Sequence, residues 1–268
     1  PYIYYSYKKA PKSKRRSQDR QPCQYGGKII PLDTEHSAIA SCLEGENDKY
    51  IKKLVLTASG GALRDVPKTQ FAKVTPEQAL AHPVWKMGKK ITIDSATLFN
   101  KGLEIIEAMH LFEVPQDKID VVIHRESVIH SMVEFSDNSI KALLSTPNIA
   151  LSIERALYYP EKNTASVAPL KLTDLGSLTF EEPDYDKFPC LKLAREMAKH
   201  GDGACIAVSA ADEVLVEQYL KYKIKLTDIP TKLEKVLAKF EKVGDVALDD
   251  VTRIDIEARK YTYSIGAK

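Results

Sequence analysis

Cysteine is scarce in this 268-residue sequence, and none is paired at short range. Cys23, Cys42, Cys190 and Cys205 are widely spaced, with no C-x-x-C unit. That excludes a zinc ribbon and a disulfide framework, and predicts reduced thiols in a reducing compartment. No apolar run approaches the ~20 residues that a membrane-spanning helix needs. The opening Pro1-Tyr2-Ile3-Tyr4-Tyr5 is too short for a signal segment, and its basic residues follow rather than precede it. His124 and His130 do not form H-E-x-x-H, which excludes a zinc-protease reading. Tryptophan occurs once, at Trp85, and no internal repeat is visible. Because the sequence begins at Pro1, it is expected to be a partial or processed product.

What remains is ordinary globular material. Hydrophobic content of 44% and charged content of 28% fit one large or two modest domains with a real core. The net charge of +2 selects no partner class. The charge is uneven, however. Lys8, Lys9, Lys12, Lys14, Arg15, Arg16, Arg20 and Lys28 face only Asp19. Such a run can attract nucleic acid or an anionic membrane. It lacks the motif of a nucleic-acid reader, so residues 1–27 are expected to be a disordered basic tail, with neither nucleic acid nor membrane as partner.

Hydrophobic patterning then divides the chain. Strands are expected at Lys28–Leu32, Leu54–Thr57, Lys90–Ile93 and Ile119–His124. Ile39, Cys42 and Leu43 recur at helical spacing. Thr75-Pro76-Glu77-Gln78 has the cap, the proline and the glutamine of a helix start, and Pro83 stops that helix. One long amphipathic helix is expected from about Ser95 to Phe112. Asp137-Asn138-Ser139 reads as a hairpin turn between Met132–Phe135 and Ile140–Leu144. Residues 161–189 read as a connection. Helices follow at Cys190–Lys199, Ala204–Leu220, Pro230–Lys242 and Asp249–Lys260. The expected architecture is an α/β (α+β) catalytic domain over residues 28–160, then an all-α helical-bundle domain over 190–268.

Several residues can carry chemistry. Asp33 and Glu35 are two apart at a strand end, where an extended chain points both carboxylates the same way. Glu104 and Glu107 share one face of the long helix. If those groups converge, a hard divalent cation neutralises them, and carboxylate oxygens suit Mg²⁺ or Mn²⁺. Solvated surface acids are the plain alternative. Ser95, opening the long helix, can hold a phosphate on free backbone N–H groups or serve only as a cap. Asn100 and Lys101 would add a donor and a positive charge. Ser59-Gly60-Gly61 is either a phosphate loop or a simple turn. Trp85, between His82-Pro83 and Met87-Gly88, is either a lid or a core residue. His124 can donate to a phosphate or satisfy a backbone carbonyl.

These signals occur together and in order. Pro31-Leu32-Asp33-Thr34-Glu35-His36-Ser37-Ala38-Ile39, Thr57-Ala58-Ser59-Gly60-Gly61, Ala79-Leu80-Ala81-His82-Pro83, Met87-Gly88-Lys89-Lys90 and Asp94-Ser95-Ala96-Thr97 resemble the 1-deoxy-D-xylulose 5-phosphate reductoisomerase family. So do Asn100-Lys101-Gly102-Leu103-Glu104, Leu175-Gly176-Ser177-Leu178-Thr179-Phe180 and Phe188-Pro189-Cys190-Leu191. The resemblance covers about residues 28–240. It implies that Asp33, Glu35 and Glu104 ligate a divalent cation (Mn²⁺, Mg²⁺ or Co²⁺). It implies substrate contacts from Thr34, Glu35, Ser59, His82, Trp85, Ser95, Asn100, Lys101 and Glu104. Catalytic roles would fall to Lys101, Glu104, Glu107 and His124, and cofactor contacts to Met87 and Gly88. The implied reaction is a metal-assisted rearrangement of 1-deoxy-D-xylulose 5-phosphate, then reduction by NADPH to 2-C-methyl-D-erythritol 4-phosphate, in non-mevalonate isoprenoid synthesis. The family also implies a homodimer, cytoplasmic in bacteria and in a plastid or apicoplast in eukaryotes.

Some segments depart from the family pattern. No glycine-rich strand–turn–helix fingerprint precedes Asp33, so the main NADPH domain is expected to be missing from this partial copy. A metal- and phosphosugar-binding fragment without reductase activity is the alternative reading. His124-Arg125-Glu126-Ser127 stands in place of His-Pro-Gln-Ser. Leu144-Ser145-Thr146-Pro147-Asn148-Ile149-Ala150 replaces a stretch that carries Met-Arg. Ser209-Ala210-Ala211-Asp212-Glu213 replaces Asn-Ala-Ala-Asn-Glu, which adds a carboxylate in a segment expected to support phosphate binding.

Overall fold

A computed structural model describes residues 2–5, 28–164 and 166–266. Most of the expected basic tail, with Cys23, lies outside the described residues. Along the chain come β1 (Tyr2–Tyr5), β2 (Lys28–Pro31), α1 (Thr34–Leu43), β3 (Ile51–Ala58), α2 (Pro76–Leu80), α3 (Lys89–Ala96) and α4 (Phe99–Leu111). Then follow β4 (Ile119–Ile123), β5 (Ile129–Phe135), β6 (Ile140–Leu144), α5 (Ala150–Tyr158) and the short α6 (Leu172–Leu175). The C-terminal part is helical: α7 (Pro189–Met197), α8 (Asp202–Leu220), α9 (Asp228–Phe240) and α10 (Leu248–Gly266).

The described residues group into two compact units. One contains residues 2–5, 28–60 and 107–183, and the other contains 61–106 and 184–266. Residues 61–106, which sequence patterning assigned to the 28–160 domain, thus pack with the C-terminal helices. The contacts explain why. Tyr219 Oη donates to Val74 O at 3.1 Å, and Tyr222 Oη meets both Glu77 oxygens at 2.6 Å. Apolar residues of α3 and α4 complete the packing, with Ile93 and Phe99 fully buried.

In the first unit a mixed sheet has the order β4-β3-β5-β6. β3 pairs parallel with β4 and antiparallel with β5, and β6 pairs antiparallel with β5. β3 is an interior strand, buried on one face through Leu54 and Leu56 and on the other through Val55 and Thr57. α1 covers β5 and β6 with the fully buried Ala38 and Ile39. The β5–β6 hairpin turns where expected. Asp137 Oδ1 accepts from Ser139 N at 2.9 Å, and Asn138 takes φ 67. β1 and β2 form a separate parallel pair.

The second unit corrects two expectations. Residues 90–93 are helical, not extended, although Ile, Thr and Ile favour strands. Thr92, Ile93 and Ala96 are buried together at helical spacing, and that packing overrides local propensity. The single long helix is two helices. Leu98, at φ 57, breaks the chain between α3 and α4. The Thr75 capping box forms as expected, with Gln78 returning the bond. α5 was not foreseen.

Gly102 of α4 lies against α7: an added Cβ would stand 2.2 Å from Ala194 Cβ. In Gly102→Ala, helix propensity favours alanine by about 1 kcal/mol. Overpacking against a neighbour that cannot swing aside costs about 1–3 kcal/mol. The clash is expected to win, lowering the urea midpoint, and Ala194→Gly is expected to restore it. An unchanged midpoint in Gly102→Ala would contradict this packing.

Candidate functional site

The first unit presents its acids at one helix end. Asp33 has the extended backbone expected from the sequence, but Glu35 is already helical, so the two are not on one extended stretch. Asp33 is the N-cap of α1, and its Oδ1 accepts from Thr34 N at 3.1 Å. Glu35 lies in the first helical turn, where the helix dipole favours an acid. Thr34 Oγ1 donates to Glu35 Oε2 at 2.6 Å and fixes that carboxylate. His36, one turn after Asp33, is fully buried. Its Nδ1 stands 3.6 Å from Glu107 Oε1 and 4.0 Å from Asp33 Oδ2. Ligand-type atoms of Asp33, His36 and Glu107 all fall within 4.8 Å of one another. Sequence reasoning missed His36. Its signal was its place three residues after Asp33, within the same motif.

Ser59 follows the end of β3, and Gly60 and Gly61 take φ 82 and φ 69. Two consecutive positive-φ residues make a tight turn whose backbone carries no side chains, so a ligand can approach its N–H groups closely. Only glycine serves at 61, because a Cβ there would meet Ser95 O at 2.4 Å.

His124 is withdrawn from chemistry. It is fully buried and stacks on Phe180 at 5.0 Å. Its Nε2 accepts from Val128 N (3.2 Å) and Ile129 N (3.1 Å), so the proton resides on Nδ1, which donates to Thr179 O at 3.0 Å. Both nitrogens hold the loop after β4. The neighbouring Arg125 Nε donates to Glu181 at 2.6 Å, and Glu126 accepts from Thr179 N and Oγ1. That pair of anchors shows how a His-Arg-Glu-Ser loop is held.

In the second unit, His82 Nδ1 accepts from Val84 N (3.1 Å) and Trp85 N (2.9 Å). The proton therefore sits on Nε2, making that nitrogen a donor. One imidazole thereby shapes the loop that carries the half-buried Trp85 and Met87. Gly88 is the N-cap of α3. Ser95 occupies the last turn of α3, not the first turn of a long helix, and its carbonyl accepts from Leu98 N at 3.2 Å. Asn100 and Lys101 begin α4. Asn100 Nδ2 and Lys101 Nζ each donate to one Glu104 oxygen at 2.5 Å. Glu104 is 1% exposed, so these donors replace water around its charge.

His82 is expected to be neutral at pH 7, since burial, and then the charge of Arg64, lower its pKa. A lowered base binds fewer protons in the folded chain than in the unfolded one. Stability is therefore expected to fall as pH drops below about 6.5. Imidazole NMR should find the Nε2–H tautomer with a titration below that value. A titration at or above it would overturn the assignment.

Two family models match the chain. The first, 1-deoxy-D-xylulose 5-phosphate reductoisomerase C-terminal domain, covers residues 29–112. The second, DXP reductoisomerase C-terminal domain, covers residues 144–261. A 1-deoxy-D-xylulose 5-phosphate reductoisomerase from Geobacillus sp. (strain WCH70) is 45% identical over 90% of this chain and 64% of its own length. The chain thus spans somewhat under two thirds of that curated relative. A solved DOX-P reductoisomerase in complex with NADPH, fosmidomycin and magnesium has a TM-score of 0.91 and 41% identity, over 98% of this chain and 69% of that one. The reductoisomerase from Zymomonas mobilis in complex with NADPH has a TM-score of 0.87 and 38% identity, over 95% and 66%. With matched models over both acid-bearing and C-terminal segments, and a solved relative that aligns with 98% of this chain, the chain belongs to the 1-deoxy-D-xylulose 5-phosphate reductoisomerase family.

Proposed function

We propose that this protein works in the conversion of 1-deoxy-D-xylulose 5-phosphate to 2-C-methyl-D-erythritol 4-phosphate, with a divalent cation and NADPH. The observation that carries the reading is the treatment of its acids. Asp33, Glu35 and Glu104 are each oriented by a neighbouring donor: Thr34 N, Thr34 Oγ1, and the pair Asn100 and Lys101. A solvated acid needs no such support. The set also fits the ion chemically. All are hard oxygen donors, and each carboxylate oxygen has two lone pairs, so one bond from the protein leaves capacity for a cation. Asp33, Glu35 and Glu104 would hold Mg²⁺, Mn²⁺ or Co²⁺, which when bound supplies Lewis acidity to a ketone and its neighbouring hydroxyl.

The chain's own residues prepare that site. Lys101 and Asn100 keep Glu104 ionised and aimed. Glu107, through His36, steadies the end of α1 on which Asp33 sits. Thr34 is the hydroxyl next to the substrate. Ser59, Ser95, Asn100, Lys101 and the Nε2–H of His82 offer donors for the phosphate, and the glycines at 60 and 61 add backbone N–H groups. The 82–88 loop, with Trp85 and Met87, covers the sugar phosphate and excludes water. Met87 and Gly88 face the nicotinamide cofactor, which supplies hydride to the rearranged aldehyde. His124 acts from a distance, by holding the loop after β4. The solved relatives with magnesium, NADPH and fosmidomycin support the same partners for this chain.

The working assembly in this reading is a homodimer. Exposed Ile149, Ile153 and Leu157 lie along one face of α5 and would be covered in it. Among the described residues no helix is long and apolar enough to cross a membrane. The expected location is the cytoplasm for a bacterial chain, or a plastid or apicoplast for a eukaryotic one.

Titration calorimetry with Mn²⁺ tests the metal assignment. Glu104→Gln is expected to weaken binding on the order of 10²-fold, since loss of even an outer contact costs 10–100-fold. Asp33→Asn should act similarly. Unchanged Mn²⁺ affinity in Glu104→Gln would remove Glu104 from the ligand set. An NADPH-oxidation assay with the substrate then decides whether the bound metal supports turnover.

A further inference from the structure

Inside the second unit, the half-buried Lys90 and the buried Asp94 and Asp212 form a group that the proposed reaction does not use. Lys90 and Asp94 are one turn apart on α3, and Asp212 lies midway along α8. Lys90 Nζ is 2.6 Å from Asp212 Oδ2 and also hydrogen-bonds Asp94 Oδ2. The two acids are 2% and 0% exposed. Their other oxygens, Asp94 Oδ1 and Asp212 Oδ1, have no hydrogen-bond donor among the described residues.

The charge does not balance. Two carboxylates and one ammonium leave one uncompensated negative charge on acids that are themselves shielded from water, which is a costly arrangement. Nothing packed nearby corrects it. Cys190 on α7 is a buried thiol whose pKa is pushed up by burial, then by Asp212 and Asp94, so it stays neutral. The charge of the exposed Glu234 on α9 adds a small push to Cys190 in the same direction. The Phe99 ring, 5.8 Å from Lys90 Nζ, contributes only its weak face. What is missing is a hydrogen between acceptor oxygens. Burial, and then the Asp212 charge, push the Asp94 pKa well above the ordinary carboxylate range.

We propose that one proton is held between Asp94 and Asp212, and that this O–H···O link, bridged by Lys90, makes Asp212 a positioning residue for the phosphate-binding end of α3. This deepens the proposed function and rests on its assignment of Ser95. Asp94 immediately precedes Ser95, whose carbonyl lies so close to Gly61 that a Cβ there would stand 2.4 Å from it. The last turn of α3 thus has little room to shift without moving that contact. With the proton present, α3 is fastened to α8 by a neutral set of groups. When it leaves, two like charges repel across the joint, Ser95 moves with α3, and an anion meets added negative charge. Anion affinity therefore falls as pH rises.

Carboxyl ¹³C NMR of the chain, assigned with Asp94→Asn and Asp212→Asn, reads the proton directly. Asp94 should remain protonated at pH 7 in the wild type and become ionised in Asp212→Asn, where Lys90 faces a single acid. Sulfate serves as the anion probe, because its charge is constant from pH 6 to 9. Its Kd should rise with pH in the wild type, tenfold for each pKa unit of coupling, and rise much less in Asp212→Asn. An Asp94 already ionised at pH 7 in the wild type overturns the shared proton without any variant having to fold. A protonated Asp94 with matching sulfate profiles in both proteins overturns the positioning role. Failure of sulfate to bind either protein at any pH strikes the phosphate-site reading, while the carboxyl titration still decides the proton.

Discussion

A carboxylate taken from water into a protein interior loses several kcal/mol of hydration unless donors or cations replace it. Glu104, Glu107, Asp94 and Asp212 are all at most 2% exposed, so this chain faces that demand four times. Each solution also sets a position. Glu104 takes Asn100 and Lys101 from the turn before it. Glu107 has the His36 ring beside it. Asp94 and Asp212 divide one lysine. The helices that bear these acids are placed by ionic contacts as much as by apolar burial, and the polar interior is where the proposed chemistry lies.

The three histidines of interest show how hydrogen bonds separate roles that sequence leaves merged. His82 and His124 each have one nitrogen accepting from two backbone N–H groups, so both organise a loop. They differ in the second nitrogen. In His124 it is used on Thr179 O within the fold. In His82 it is the donor end of a half-buried ring on the segment that carries Trp85. His36 has carboxylates as neighbours and no such loop to hold. Identity alone therefore said little about function, whereas the partners of each nitrogen said a great deal.

Much of this was legible in the sequence. The central strand, the Thr75 capping box, the 137–139 turn and the C-terminal helices follow from local pattern, because each has a local cause. The acids at 33, 35 and 104 were legible as candidates through motif order. Two features were not. Residues 90–93 carry strand-favouring side chains, and only their burial beside the C-terminal helices makes them helical. The break at Leu98 has no glycine or proline to announce it, so one helix was expected where two exist. The same break moves Ser95 from a helix start to a helix end. Asp33 is extended as expected, but its side chain caps a helix that begins at the next residue and takes in Glu35.

The eight residues of α3 have a consequence for how the site is built in time. A helix this short, rich in β-branched residues and without a side-chain cap, is unstable by itself in water. It exists because α8 receives it, although more than a hundred residues separate them in the chain. The groups proposed to bind the anion at its end thus depend on the same packing that assembles the C-terminal helices. A shortened chain that kept every one of those groups but lost α8 would have the right chemistry with no shape to present it.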